Sequence, residues 1–86
     1  MNNYKRYKNN LNVIGKQIRY YREENNLTIK ELSDKLMLIG IDIPKNSLQR
    51  LENGNRIIKD YELAGFSKIL NVSVDLLLKD FINKLT

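Results

Sequence analysis

Residues 27–54, LTIKELSDKLMLIGIDIPKNSLQRLENG, decide how this chain folds. Thr28-Ile29-Lys30-Glu31 has the form of a capping box. The Thr28 side chain can accept from the Glu31 amide while the Glu31 carboxylate reaches back to the Thr28 amide, pairing two donors that a helix start leaves open. Leu27 just before the cap and Leu32 at the fourth helical position are spaced for a hydrophobic staple. Ile29, Leu32 and Leu36 then mark one buried face at helical period. Gly40-Ile41-Asp42-Ile43 breaks the pattern, and Pro44 is tolerated in a first helical turn but not deeper, since it has no N–H to give. A further helix is predicted from about Pro44 to Asn53, with Leu48 and Leu51 facing inward and Gly54 as its left-handed stop.

The flanks extend the same logic. Leu11, Ile14, Ile18 and Tyr21 recur at helical spacing, with Lys16, Arg19 and Arg22 on other faces, and predict a first helix ending near Asn25-Asn26. Downstream, Asp60 reads as the cap of a fourth helix with Leu63, Phe66 and Leu70 as its stripe. Ser73 caps a fifth, whose Val74, Leu77, Leu78, Phe81 and Leu85 keep helical spacing almost to the C-terminus. Five short helices and no strand make the expected fold class all-α. The opening MNNYKRYKNN has no apolar periodicity. The chain thus divides into a flexible basic arm over 1–10, a folded domain over 11–79 and a helical extension over 80–86.

Composition narrows the chemistry. Eighty-six residues, 42% hydrophobic and 29% charged, suit one small globular domain and leave no room for a ligand-sensing domain beside it. Cysteine and histidine are absent. That excludes a disulfide framework, a Cys/His zinc site, a thiol nucleophile and an imidazole base. Asp34, Asp42, Glu52, Asp60 and Asp75 show no spacing for metal or acid–base work, so the chain is expected to be no enzyme and to need no cofactor or metal. No run of about 18 apolar residues is present and the first twelve residues lack an apolar h-region, which points to a cytoplasmic protein with no membrane partner. Attachment to a membrane surface through the basic first helix is disfavoured, because its apolar stripe is narrow and is needed by the core. The formal charge is +5, and Lys5, Arg6, Lys8, Lys16, Arg19 and Arg22 stand in the first 22 residues with no acid among them. A basic front of this kind calls for an anionic partner, most commonly nucleic acid.

Cap, short helix, turn, short helix and glycine stop is the order of a helix-turn-helix. The residues resemble the phage-repressor/Cro family of bacterial regulators, also called the xenobiotic-response-element type. Three pieces carry the resemblance: Leu27-Thr28-x-x-Glu31-Leu32-Ser33-x-Lys35-Leu36; Leu48-x-Arg50-Leu51-Glu52-Asn53-Gly54-x-Arg56; and Asp60-Tyr61-Glu62-Leu63 followed by Ile69 to Leu78. The resemblance implies a five-helix DNA-binding domain whose third helix enters the major groove. It implies a transcriptional regulator, a repressor acting as a dimer on double-stranded DNA, with a regulatory protein as a further partner. An antitoxin that also binds a toxin, or an interaction module that has lost DNA binding, are the competing readings.

Position by position, the resemblance places Lys45, Asn46, Gln49 and Arg50 where family members meet base edges. This agrees with their chemistry, since Asn and Gln pair with adenine and Lys and Arg with guanine. A solvated helix face is the alternative for the first three, and pairing with Glu52 or a phosphate the alternative for Arg50. Asn53, Asn55 and Arg56 fall where the following loop meets phosphates, and at the start of the second helix one phosphate contact is either lost or supplied by Thr28 or Lys30. Ile29 stands where the family usually has a phosphate-binding Gln, Pro44 replaces a frequent Ser, and Met37–Ile43 is about three residues longer than the usual turn. Glu52 is expected to pair inside the domain with Arg19 or Arg22, and Tyr61 and Glu62 to fix the following loop. Lys5, Arg6 and Lys8 suit a groove-lying arm or a solubilising tail. Phe81, Ile82 and Leu85 suit a dimer contact or simple closure of the core.

Overall fold

Five helices form in the computed structural model, which describes residue 7 and residues 9–85: α1 (Gly15–Glu24), α2 (Ile29–Leu38), α3 (Lys45–Glu52), α4 (Asp60–Leu70) and α5 (Val74–Lys84). Among the described residues the only extended pairing is an isolated bridge between Tyr7 and Asn10. The third helix packs against α1 and α2, while α4 packs against α1, α2 and α5. Ile14, Ile18, Leu32, Leu36, Ile43, Leu48, Leu51, Phe66, Leu70 and Leu77 form the buried core. Each such side chain contributes roughly 1.5–3 kcal/mol on leaving water.

The capping box forms as the sequence predicts: Glu31 N–H donates to Thr28 Oγ1 at 3.1 Å, and Thr28 N–H donates to Glu31 Oε1 at 2.9 Å. Hydrogen bonding to its carboxylate from the Thr28 amide, and then from the Thr28 side chain, holds the Glu31 carboxyl below its ordinary range. Ser73 also caps as expected, accepting from Leu76 N–H at 3.0 Å. Gly54 takes φ +80° and closes α3, with Asn55 N–H on Arg50 O at 2.8 Å and Gly54 N–H on Leu51 O at 3.0 Å.

Three boundaries differ from the sequence reading. The first helix begins at Gly15 and leaves Leu11 outside, because the Asn12 side-chain oxygen takes the Ile14 and Gly15 amides and turns the chain there. The cap of α4 is Lys59 and not Asp60: Glu62 accepts from Lys59 N–H at 2.9 Å, while Asp60 accepts from Tyr61 N–H inside the first turn. The long Met37–Ile43 stretch ends α2 at Leu38 and widens the turn. Gly40 at φ +83° and the Ile41 N–H bond to Leu36 O reverse the chain, Ile43 is fully buried, and Ser33 Oγ donates to Ile43 O at 2.6 Å. The wider turn is therefore anchored at both ends, and α3 is seated firmly.

The close approach of α1 to α3 depends on Gly15. A Cβ there would lie 2.6 Å from Leu51 O and 2.7 Å from Glu52 O, both backbone atoms. Gly→Ala inside a helix normally gains about 0.5–1 kcal/mol. Here overpacking of about 1–3 kcal/mol wins. Thermal unfolding followed by circular dichroism should show Gly15→Ala less stable than the parent; a raised midpoint would refute the close packing.

Candidate nucleic-acid interface

The packing of α3 sorts its side chains by face. Leu48 and Leu51 are fully buried. Lys45, Asn46, Gln49 and Arg50 are exposed, as are Asn53 and Asn55 in the turn that follows. Asn46, Gln49 and Asn53 recur at three- and four-residue spacing and so line one side of the helix, with Lys45 beside Gln49 across one turn and Arg50 at the margin. The stripe carries neutral amides flanked by two cations, Lys45 and Arg50, the donor and acceptor types that read base edges.

Glu52 points the other way. It is held in a bidentate pair with Arg22 of α1, Nε to Oε2 at 2.7 Å and Nη2 to Oε1 at 3.1 Å. The third donor of Arg22, Nη1, reaches Leu27 O at 2.8 Å, tying α1, the lead-in to α2 and the end of α3 at one point. The Glu52 hydrogen bond outweighs desolvation and raises the Arg22 pKa further above its already high ordinary value. Of the two partners anticipated for Glu52, Arg22 is the one; Arg19 pairs with Glu23 along α1 at 3.5 Å.

The N-terminal end of α2 lies open. Thr28 and Lys30 are exposed. Lys30 is paired with Asp34 at 2.9 Å with both side chains more than half exposed. Such a surface pair is worth at most about 1 kcal/mol, so a phosphate can draw Lys30 away. Ile29 is half-buried against the core, as an apolar first-turn residue should be.

Arg56 departs from the expectation of an open phosphate ligand. Its Nη1 and Nη2 lie 2.9 and 3.0 Å from the two Glu62 oxygens, and Nη1 also donates to Ile57 O. Both partners are largely buried, so the guanidinium is committed to holding the turn against α4. Sequence spacing marks Glu62 as structural but not its partner, because an ion pair between a turn residue and a helix residue six positions on has no periodic signature. Burial pushes the Glu62 carboxyl up, but hydrogen bonds from Arg56 and the Lys59 amide, with their charges, pull it down further and leave it lowered. A lowered carboxyl adds stability that is complete above the ordinary carboxylate range and is lost as pH falls through the lower folded value. Between pH 7 and 3 the parent should therefore lose stability on the acid side, and Glu62→Gln should flatten that decline in urea titrations. An unchanged acid slope would contradict the pair's ionisation.

The remaining predicted residues separate. Lys5, Arg6 and Lys8 lie outside the described residues. Phe81 is half-buried, with Tyr7 packed edge-on against it at 5.0 Å. Ile82 and Leu85 are 51% and 54% exposed. Among the described residues no helix is long and apolar enough to cross a membrane.

A helix-turn-helix family model matches residues 18–77, most of the chain. Among solved structures, a crystal structure of SinR, the master regulator for biofilm formation, in complex with DNA is 30% identical. It aligns over 77% of this chain and 98% of that chain at a TM-score of 0.66. A complex of SinR protein with SinI protein is 28% identical over 86% of this chain and 68% of that chain, at a TM-score of 0.67. No curated protein matches significantly.

Proposed function

Since the chain belongs to the helix-turn-helix family of phage-repressor and Cro type, we propose that this DNA-binding transcriptional regulator is sequence-specific and acts as a dimeric repressor. The observation that carries the reading is the exposed stripe of Lys45, Asn46, Gln49 and Asn53 on a helix whose opposite side is fully buried. The stripe enters the major groove, with Lys45, Asn46, Gln49 and Arg50 meeting base edges. Thr28 and Lys30 at the start of α2, and Asn53 and Asn55 after α3, hold the sugar-phosphate backbone. The similar structure of SinR in complex with DNA supports DNA binding by this chain.

The dimer rests on Ile82, one turn beyond Leu78 on α5, and on Leu85, the extended residue that follows the helix. Leu78 lines an apolar hollow of about 360 Å³ together with Ile57, Ile58 and Leu63. Exposed apolar ends next to an apolar hollow suit a two-fold contact, in which each copy offers both parts. Two reading helices then lie about 34 Å apart on a partly palindromic site. A protein partner is the second reading, favoured by the SinR–SinI complex and by Leu38, which is 85% exposed between exposed Met37 and Ile39.

Titration of a labelled duplex over a range of salt concentrations tests the reading. Each cation that neutralises a phosphate contributes about −0.9 to the slope of log K against log salt, so Lys30→Ala should shrink the slope by about 1 on every sequence. Binding that is absent, or insensitive to salt, would overturn the proposal.

A further inference from the structure

We propose that Asn12 is a positioning residue for DNA binding: its carboxamide clamps both ends of the turn after α3 and thereby fixes Asn53 and Asn55 for the backbone. The inference rests on the DNA-binding reading above. Asn12 Nδ2 donates to Leu51 O and to Arg56 O, both at 2.8 Å. These carbonyls bracket the turn that carries the two exposed asparagines. Leu11 N–H adds a third tie, to Gly54 O at 2.7 Å, and Asn10 closes on Gly54 from the same side. The far end is held by Arg56 on Glu62. Segment 10–12 thus acts as a strap across 51–56, and the tip between the ties presents Asn53 and Asn55 outward.

The two halves of the Asn12 carboxamide do different work. Oδ1 accepts from Ile14 N–H at 3.1 Å and Gly15 N–H at 2.8 Å and so starts α1, whereas both Nδ2 protons go to the turn. Aspartate keeps the acceptor half and loses the donor half. Asn12→Asp therefore separates starting α1 from holding the interface.

The test measures binding of the full chain and of Asn12→Asp to two duplexes, one carrying a sequence enriched from a random pool and one unrelated. The variant should unfold cooperatively above the assay temperature. It should bind both duplexes weaker by the same factor, about tenfold or more, the worth of hydrogen bonds to charged groups. Equal loss follows because backbone contacts carry no sequence information. In the neutral variant Asn12→Ser, measured beside it, the salt slope should stay the same, since the lost amide contacts release no counterions, whereas the charge added in Asn12→Asp changes the slope as well. On a background of Asn53→Ala and Asn55→Ala, Asn12→Asp should weaken binding no further. Unchanged affinity in the single variant, or the same loss on that background, would overturn the inference. If Asn12→Asp does not fold, Asn12→Ser, whose hydroxyl still accepts from the Gly15 amide, is judged by the same two results. A parent chain that retains neither duplex would overturn the DNA-binding reading and this inference with it.

Discussion

Glu52→Ala should destabilise the domain by about 3–5 kcal/mol, because it strands a buried guanidinium without its partner. The side chains of Arg22 and Glu52 are only 11% and 4% exposed, and the pair joins three elements. Small domains hold a net stability of about 5–15 kcal/mol, so the loss is a large share of the total. Arg22→Ala should cost a similar amount. The paired replacement Arg22→Met with Glu52→Leu should cost less than either single change, since it removes both charges and leaves apolar groups of similar length. Urea unfolding of the four proteins gives the comparison. A loss below about 1 kcal/mol for Glu52→Ala would mean that the pair behaves as a surface contact.

The second large effect falls on recognition and leaves the fold alone. Replacing Lys45, Asn46 and Gln49 together by alanine removes exposed side chains, which usually changes stability by no more than about 0.5 kcal/mol. Each base-reading contact is worth about 1–3 kcal/mol of discrimination. Three of them span much of the gap between specific and non-specific binding, about 4–10 kcal/mol. The triple variant should therefore keep its unfolding midpoint and its residual salt-dependent binding, yet treat the preferred duplex and an unrelated one almost alike. Full discrimination in the triple variant, measured by competition between the two duplexes, would mean that this face reads no bases.

These two results bear on different parts of what the sequence makes legible. Features governed by neighbours within one turn are readable directly: the Thr28–Glu31 box, the Ser73 cap, the Gly54 stop and the Leu48/Leu51 stripe all form. Glu52 is legible as an internal partner because a carboxylate facing DNA would be repelled. Features set by distant chain segments are not. Asn12 sits among apolar residues at helical spacing, and only the carbonyls of Leu51 and Arg56, some forty residues away, reveal what it holds. The same blindness affects Arg56, whose charge suggests a phosphate until Glu62 is found beside it. Lys59 takes the cap from Asp60 because Glu62, three residues on, captures its amide.

Sequence reading by the exposed face of α3 underlies the proposed function. Selection from a random duplex pool at near-physiological salt, followed by sequencing, tests it most directly. The expected result is enrichment of a motif with two half-sites centred about 34 Å apart, and loss of that enrichment in the Lys45, Asn46 and Gln49 triple variant. Retention of DNA with no enriched sequence, or no retention at all, would contradict it.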